Sequence, residues 1–159
     1  MDNLASKPVE KLVVERAKAE DVFAIKIMVV AAYSKYIERL GKLPAAMNSD
    51  YDKLLETQNV YVLRLGGRVV GSILLSRDGD AIKVNNLVVD PSAQGRGYGR
   101  ALMDYAEDVA RAQGLAAVTL FTNEKMHENI ALYMKIGFTE TGRKAEDGFN
   151  RVFFRKNLA

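Results

Sequence analysis

The sequence predicts a single α/β domain built on a mixed, mostly antiparallel sheet flanked by helices. Three observations carry that prediction. Strand and helix periodicities alternate along nearly all of the 159 residues. Gly66-Gly67 and Asp78-Gly79 separate strand patterns at hairpin spacing. An apolar strand pattern, Leu87-Val88-Val89, runs through a glycine-rich loop straight into an amphipathic helix.

Taken in order, Leu12-Val13-Val14-Glu15-Arg16 reads as a first strand after a polar, mobile tail over residues 1–10. Glu20-Asp21 place negative charge where a helix begins. Val22, Ile25, Val29, Ala32, Tyr33, Tyr36, Ile37 and Leu40 then keep helical spacing as far as Gly41, and Lys42-Leu43-Pro44 breaks it. Ser49 is the expected N-cap of a second, short helix with Leu54 and Leu55 inward. A meander of strands over 60–65, 68–76 and 81–89 follows. The helix from Tyr98 carries Leu102, Tyr105, Ala106, Val109 and Ala110 on one stripe and ends at Gly114. A central strand over 116–121, a short helix over 128–135 and two strands over 138–143 and 151–155, joined by a loop over 144–150, complete the chain.

Composition excludes several classes of function. There is no cysteine, so disulfides, thiolate metal sites and a cysteine-linked acyl-enzyme are ruled out. The longest apolar run, 27–33, is too short to span a bilayer, and the first ten residues lack the apolar run of a signal peptide. A soluble, cytoplasmic protein with no membrane partner is the expectation. The net charge of +3 is spread among acidic residues, so a nucleic-acid partner is not expected either.

The loop Asp90-Pro91-Ser92-Ala93-Gln94-Gly95-Arg96-Gly97-Tyr98-Gly99-Arg100 is where the chemistry concentrates. Glycines let backbone amides approach a ligand, and a helix start offers unpaired N–H groups and partial positive charge to an anion. Counting six positions from Gly95 or Gly97 reaches Arg100 or Leu102, so the dinucleotide spacing fails. No Gly-Lys-Ser/Thr follows, so it is not a P-loop. A plain chain reversal needs neither three glycines nor two flanking arginines, and Arg-Gly repeats that bind RNA are long and disordered.

The pattern Gln94-x-x-Gly97-x-Gly99 after Leu87-Val88-Val89 resembles the acetyl-CoA signature of the GNAT superfamily of N-acyltransferases. Asn129-Ile130-Ala131-Leu132-Tyr133-Met134-Lys135-Ile136-Gly137-Phe138 resembles the family's downstream helix, which bears a tyrosine and ends in Gly-Phe. The element order matches from about Leu12 to Arg155. The resemblance implies a sheet that splays into a V-shaped slot, acetyl-CoA as acyl donor, and direct attack by a primary amine. It implies a coenzyme A pyrophosphate held by the loop amides of Gly95, Arg96, Gly97, Tyr98, Gly99 and Arg100 behind Gln94. Backbone groups of Leu87, Val88 and Val89 would meet the pantetheine arm, with an N–H near Leu87 as oxyanion donor. Tyr133 would protonate the departing thiolate, and Asn129 would meet the pantetheine amides. Relatives often dimerise through terminal strands, so a homodimer is the implied assembly.

The chain departs from the family pattern in two places. Met126 stands where many relatives have asparagine. Residues 83–86 offer no carboxylate as general base, which leaves Asn85 or Asn86 to orient a relaying water. His127, the lone histidine, reads as a solvated group at a helix start. Tyr33, Tyr36 and Tyr51, with Pro44 and Met47, make the expected acceptor side aromatic and apolar, and Glu146-Asp147 reads as an acidic hairpin tip. The missing carboxylate also keeps a second reading open, a coenzyme A-binding sensor or regulatory module without catalysis.

Overall fold

Among the described residues seven strands form, all but β6 rich in β-branched or aromatic residues: β1 (Leu12–Arg16), β2 (Asn59–Leu65), β3 (Arg68–Asp78), β4 (Ala81–Val89), β5 (Ala117–Asn123), β6 (Thr139–Glu146) and β7 (Phe149–Asn157). The computed structural model describes residues 11–44, 47 and 49–158, and the tail expected over residues 1–10 lies outside them. The strands make one sheet in the order β1-β2-β3-β4-β5-β7-β6. Every neighbouring pair is antiparallel except β4 and β5, which run parallel because α4 (Tyr98–Ala112) crosses over between them.

Two hydrophobic cores lie on opposite faces. On one, α4 and α5 (His127–Lys135) cover residues such as Leu63, Ile73, Val118 and Phe154. On the other, α1 (Val22–Tyr33) and α3 (Tyr51–Thr57) bury Ile25, Met28, Val29 and Tyr51 against Val60, Val62, Leu74 and Val88. Asp21 anchors the start of α1. It takes the N–H of Lys18 at 2.8 Å and two guanidinium bonds from Arg64, at 2.9 and 2.7 Å. Among the described residues no helix is long and apolar enough to cross a membrane.

Three expectations need correction. The first helix is not continuous to Gly41: it tightens into a 3-10 turn over Ser34–Tyr36 and resumes as α2 (Ile37–Leu40), ending at Gly41 with φ 75°. The N-cap of α3 is Asp50, not Ser49: the Asp50 side chain accepts from the N–H of Lys53. The loop expected over 144–150 is instead a two-residue turn, Asp147-Gly148. Both residues have positive φ, 52° and 79°, the geometry that suits a tight hairpin, so β6 and β7 run further than their apolar content indicates.

Candidate active site

The parallel pairing of β4 with β5 covers only Ala81↔Ala117 to Val84↔Leu120, although β4 continues to Val89 and β5 to Asn123. The two strands part there. The cause lies on the other edge of β4, where the register with β3 slips between Leu74 and Leu75: Leu75 faces Val84 and Leu74 faces Asn86. Asn85 is thus the extra residue of a bulge, which bends a strand and ends its pairing.

Ladder alternation decides which backbone groups face the opening. Asp90 donates its N–H to Val70 O at 2.9 Å, so Val88 and Asn86 also turn their N–H and C=O toward β3. Leu87 and Val89 turn theirs the other way, into the gap. Their carbonyls are already engaged: Tyr33 Oη donates to Leu87 O at 3.2 Å, and Gln94 Nε2 donates to Val89 O at 3.2 Å. The two N–H groups are what the strand offers to the slot.

At the end of β4 the Asp90 carboxylate takes the N–H and hydroxyl of Ser92 and sets the turn into the glycine loop. Gly95 and Gly97 have φ of 82° and 81°, which side-chain-bearing residues adopt only under strain. Gly97 is the N-cap of α4 and has no side chain to satisfy the helix's first amides, so those of Tyr98, Gly99 and Arg100 are left for a ligand. Arg100 is tied to Asp104 at 3.2 Å.

The gap opens into a cavity of about 610 Å3, a size suited to a sizeable organic ligand. The half that would face an acyl donor is lined by Leu87, Val88 and Val89, by Gln94 and Gly95, and by Gly97, Tyr98, Gly99 and Arg100. Arg96 is exposed and stands outside this lining. From α5, Asn129 and Tyr133 face the same space, with the Tyr133 ring packed edge-on at 6.0 Å from Phe138. Burial pushes the Tyr133 hydroxyl up to about 12, so it stays a proton donor through the neutral range.

On the half that would face an acceptor, Tyr33 and Tyr36 line the cavity, but Tyr51 does not. Tyr51 is buried and accepts from Asn86 Nδ2 at 3.0 Å, while Asn86 Oδ1 accepts from Tyr33 Oη at 3.0 Å. Tyr51 therefore holds Asn86, which helps hold Tyr33 against Leu87. Asn85 lines the cavity with its amide committed to Ser76 Oγ at 2.8 Å. Sequence reasoning missed the far wall: Phe121 and Asn123 on β5, and Phe149 and Arg151 on β7. Asn123 and Phe149 fell outside the expected strands, and only the β5–β7 register, with Asn123 opposite Arg151, brings all four to the cavity.

Residues 29–138 match the family model described as the acetyltransferase (GNAT) family. The chain belongs to the GNAT acetyltransferase family. Within it, this GNAT protein is 41% identical over 83 residues to the IAA acetyltransferase of Azospirillum brasilense, covering 51% of this chain and 54% of that one. It is 36% identical over 104 residues to the N-alpha-acetyltransferase RimI of Mycobacterium tuberculosis, with 62% of each chain covered. The chain thus spans about half to three-fifths of the length of these curated relatives. Among solved structures, the PaiA N-acetyltransferase of Thermoplasma acidophilum, in complex with coenzyme A, superposes with a TM-score of 0.77. That match covers 93% of this chain and 99% of the other at 15% identity, a likeness of fold.

The glycines of this GNAT loop have separable jobs. A Cβ on Gly99 meets only Val89 Cγ2 at 3.8 Å and Leu87 Cδ2 at 3.9 Å, ordinary contact, whereas Gly97 needs its positive φ. Gly97→Ala is therefore expected to lower the melting temperature by about 4 °C, from a penalty of ~1–2 kcal/mol. Gly99→Ala is expected to leave it unchanged or raised, yet to weaken acetyl-CoA binding roughly 10-fold by crowding the helix amides. Thermal melts with and without acetyl-CoA measure both, and equal affinity for Gly99→Ala and wild type would remove the loop from the ligand's path.

Proposed function

We propose that this GNAT protein is an acetyl-CoA-dependent N-acetyltransferase in which a primary amine attacks the thioester directly. The observation that carries the reading is the parted β4, whose Leu87 and Val89 amides lead without interruption into the glycine cradle at the start of α4. The unpaired amides of the loop and helix start suit a pyrophosphate, and the slot amides suit the amide-bearing pantetheine arm. When bound, acetyl-CoA supplies an activated acetyl carbonyl.

The chain's own groups then divide the work. The Leu87 N–H, fixed in the slot by the bulge, would donate to the carbonyl oxygen as charge develops on it. Tyr133, held protonated by burial, would give its proton to the sulfur as the C–S bond breaks. The attacking nitrogen forms the new C–N bond and must lose a proton. Among the described residues lining the cavity there is no Asp, Glu or His to take it. Burial and the neighbouring Tyr133, Tyr51 and Tyr36 phenols push the Tyr33 hydroxyl upward, so Tyr33 is no base at neutral pH. The acceptor therefore enters as free amine or passes its proton to water oriented by Asn85.

A pH consequence follows. kcat/KM is expected to rise with pH until the acceptor amine's own pKa is passed, and that pKa moves when the acceptor is changed. A plateau pKa between 6 and 7 that stays put across acceptors would place a base in the protein after all. The proposal itself is tested by following thiol release from acetyl-CoA against an amine panel. The absent carboxylate also favours the sensor reading, for which the same assay gives binding of acetyl-CoA with no thiol release. The exposed edge strand β6 is where the implied homodimer would form.

A further inference from the structure

The charges lining the cavity are one-sided. Among the described residues they are Lys35, Arg100 and Arg151, and the lining itself holds no carboxylate. Arg100 belongs to the donor half and is paired with Asp104. Arg151 belongs to the acceptor half. Its side chain is only 13% exposed, with the guanidinium carbon 4.4 Å from the Phe121 ring centre and 5.9 Å from that of Phe149. Its Nη1 reaches Glu146 at 3.4 Å, a long contact, and lies 3.9 Å from Asp147. Its other guanidinium donors make none of the hydrogen bonds found among the described residues. A guanidinium packed against aromatic rings is partly desolvated and keeps its fork of donors for a carboxylate or phosphate.

The rings of that wall carry further cations: Lys35, in the lining, sits over Tyr36 at 5.0 Å, while Lys83 and Lys42, outside the lining, sit over Phe121 at 5.2 Å and Phe149 at 4.4 Å. A polyamine would meet like charges in the lining, and the carboxylates nearest to it, Glu146 and Asp147, already face Arg151. An amine with an acid group would place that group on Arg151 and its body on the rings.

Resting on the acetyltransferase reading, we propose that the acceptor is a primary amine that also carries an acid group, and that Arg151 binds this group. The acid is a carboxylate or a phosphate, since a guanidinium fork takes either.

Matched acceptors test it: phenylalanine against phenethylamine for the carboxylate arm, O-phosphoethanolamine against ethanolamine for the phosphate arm, and spermidine as the cationic counter-case. In at least one arm the acid-bearing member is expected to have the higher kcat/KM, and the arm that shows the preference names the acid. Arg151→Gln is expected to cut that ratio roughly 10- to 100-fold, the range a charge-assisted hydrogen bond spans. Arg151→Lys, which keeps charge but loses the fork, should recover only part of it. Binding of the same probes to the CoA-loaded protein by calorimetry separates the two readings. Arg151-dependent binding of an acid-bearing amine without thiol release upholds the anion site and ends the acetyltransferase reading. Turnover that prefers spermidine or the acid-free amines, or a ratio unmoved in a folded Arg151→Gln protein, ends the anion site and leaves the acetyltransferase reading standing.

Discussion

Replacing Tyr133 by phenylalanine is expected to lower kcat by about 10²-fold or more, the lower reach of a positioned general acid. The ring stays, so its contacts with Phe138 and Phe154, at 6.0 and 6.1 Å between ring centres, stay too. Melting temperature and acetyl-CoA affinity should then be close to wild type, which isolates the lost proton. A donor whose thiol is more acidic needs less help in leaving, so an acyl thioester of a more acidic thiol should regain part of the rate. A Tyr133→Phe enzyme with undiminished kcat would leave the phenol a packing residue on an amphipathic helix.

The second large effect lies far from the cavity. Arg64→Leu should destabilise the fold by about 3 kcal/mol, the low end for breaking a buried ion pair, because Arg64 keeps one edge in solvent. Asp21 is 5% exposed, and without the guanidinium its charge is buried with no cation on it. In the intact protein burial works against that charge, but the Arg64 hydrogen bonds and the Lys18 N–H outweigh it and hold the carboxyl below its ordinary value. The sign follows from linkage: a lowered carboxyl stabilises above the unfolded pKa of about 3.9 and loses that contribution as pH falls through the lower, folded value. Urea denaturation at pH 7 and at pH 3 should therefore give a wide gap between wild type and Arg64→Leu at neutral pH and a narrow one in acid. A gap of equal size at both would assign the loss to packing of the arginine stem instead.

The glycine-loop side of the cavity was legible in the sequence because its geometry falls on the backbone. Positive φ at Gly95 and Gly97 favours glycine over every other residue, and that spacing therefore survives as text. The acceptor half was not. Phe121 and Arg151 stand 30 positions apart and meet through strand pairing, which local periodicity does not encode. Tyr51 looked like a lining residue because it is aromatic, yet its burial behind Asn86 turns it into a support. The end of the sheet was under-read for a different reason. Along β6 nearly every side chain is exposed, so Thr139–Glu146 carries no alternation, and the Asp-Gly turn was the better guide.

The parted strand has a consequence for how such a protein can change. The wall that would face the acyl donor is made mostly of main-chain amides, which any sequence supplies as long as the bulge at Asn85 and the helix start are kept. The wall that would face the amine is made of side chains: Tyr36, Phe121, Phe149 and Arg151. On the proposed reading, substitution on that second wall would alter what is accepted and leave what is given untouched. One half of the pocket would then be a fixed fitting, and the other an interchangeable die.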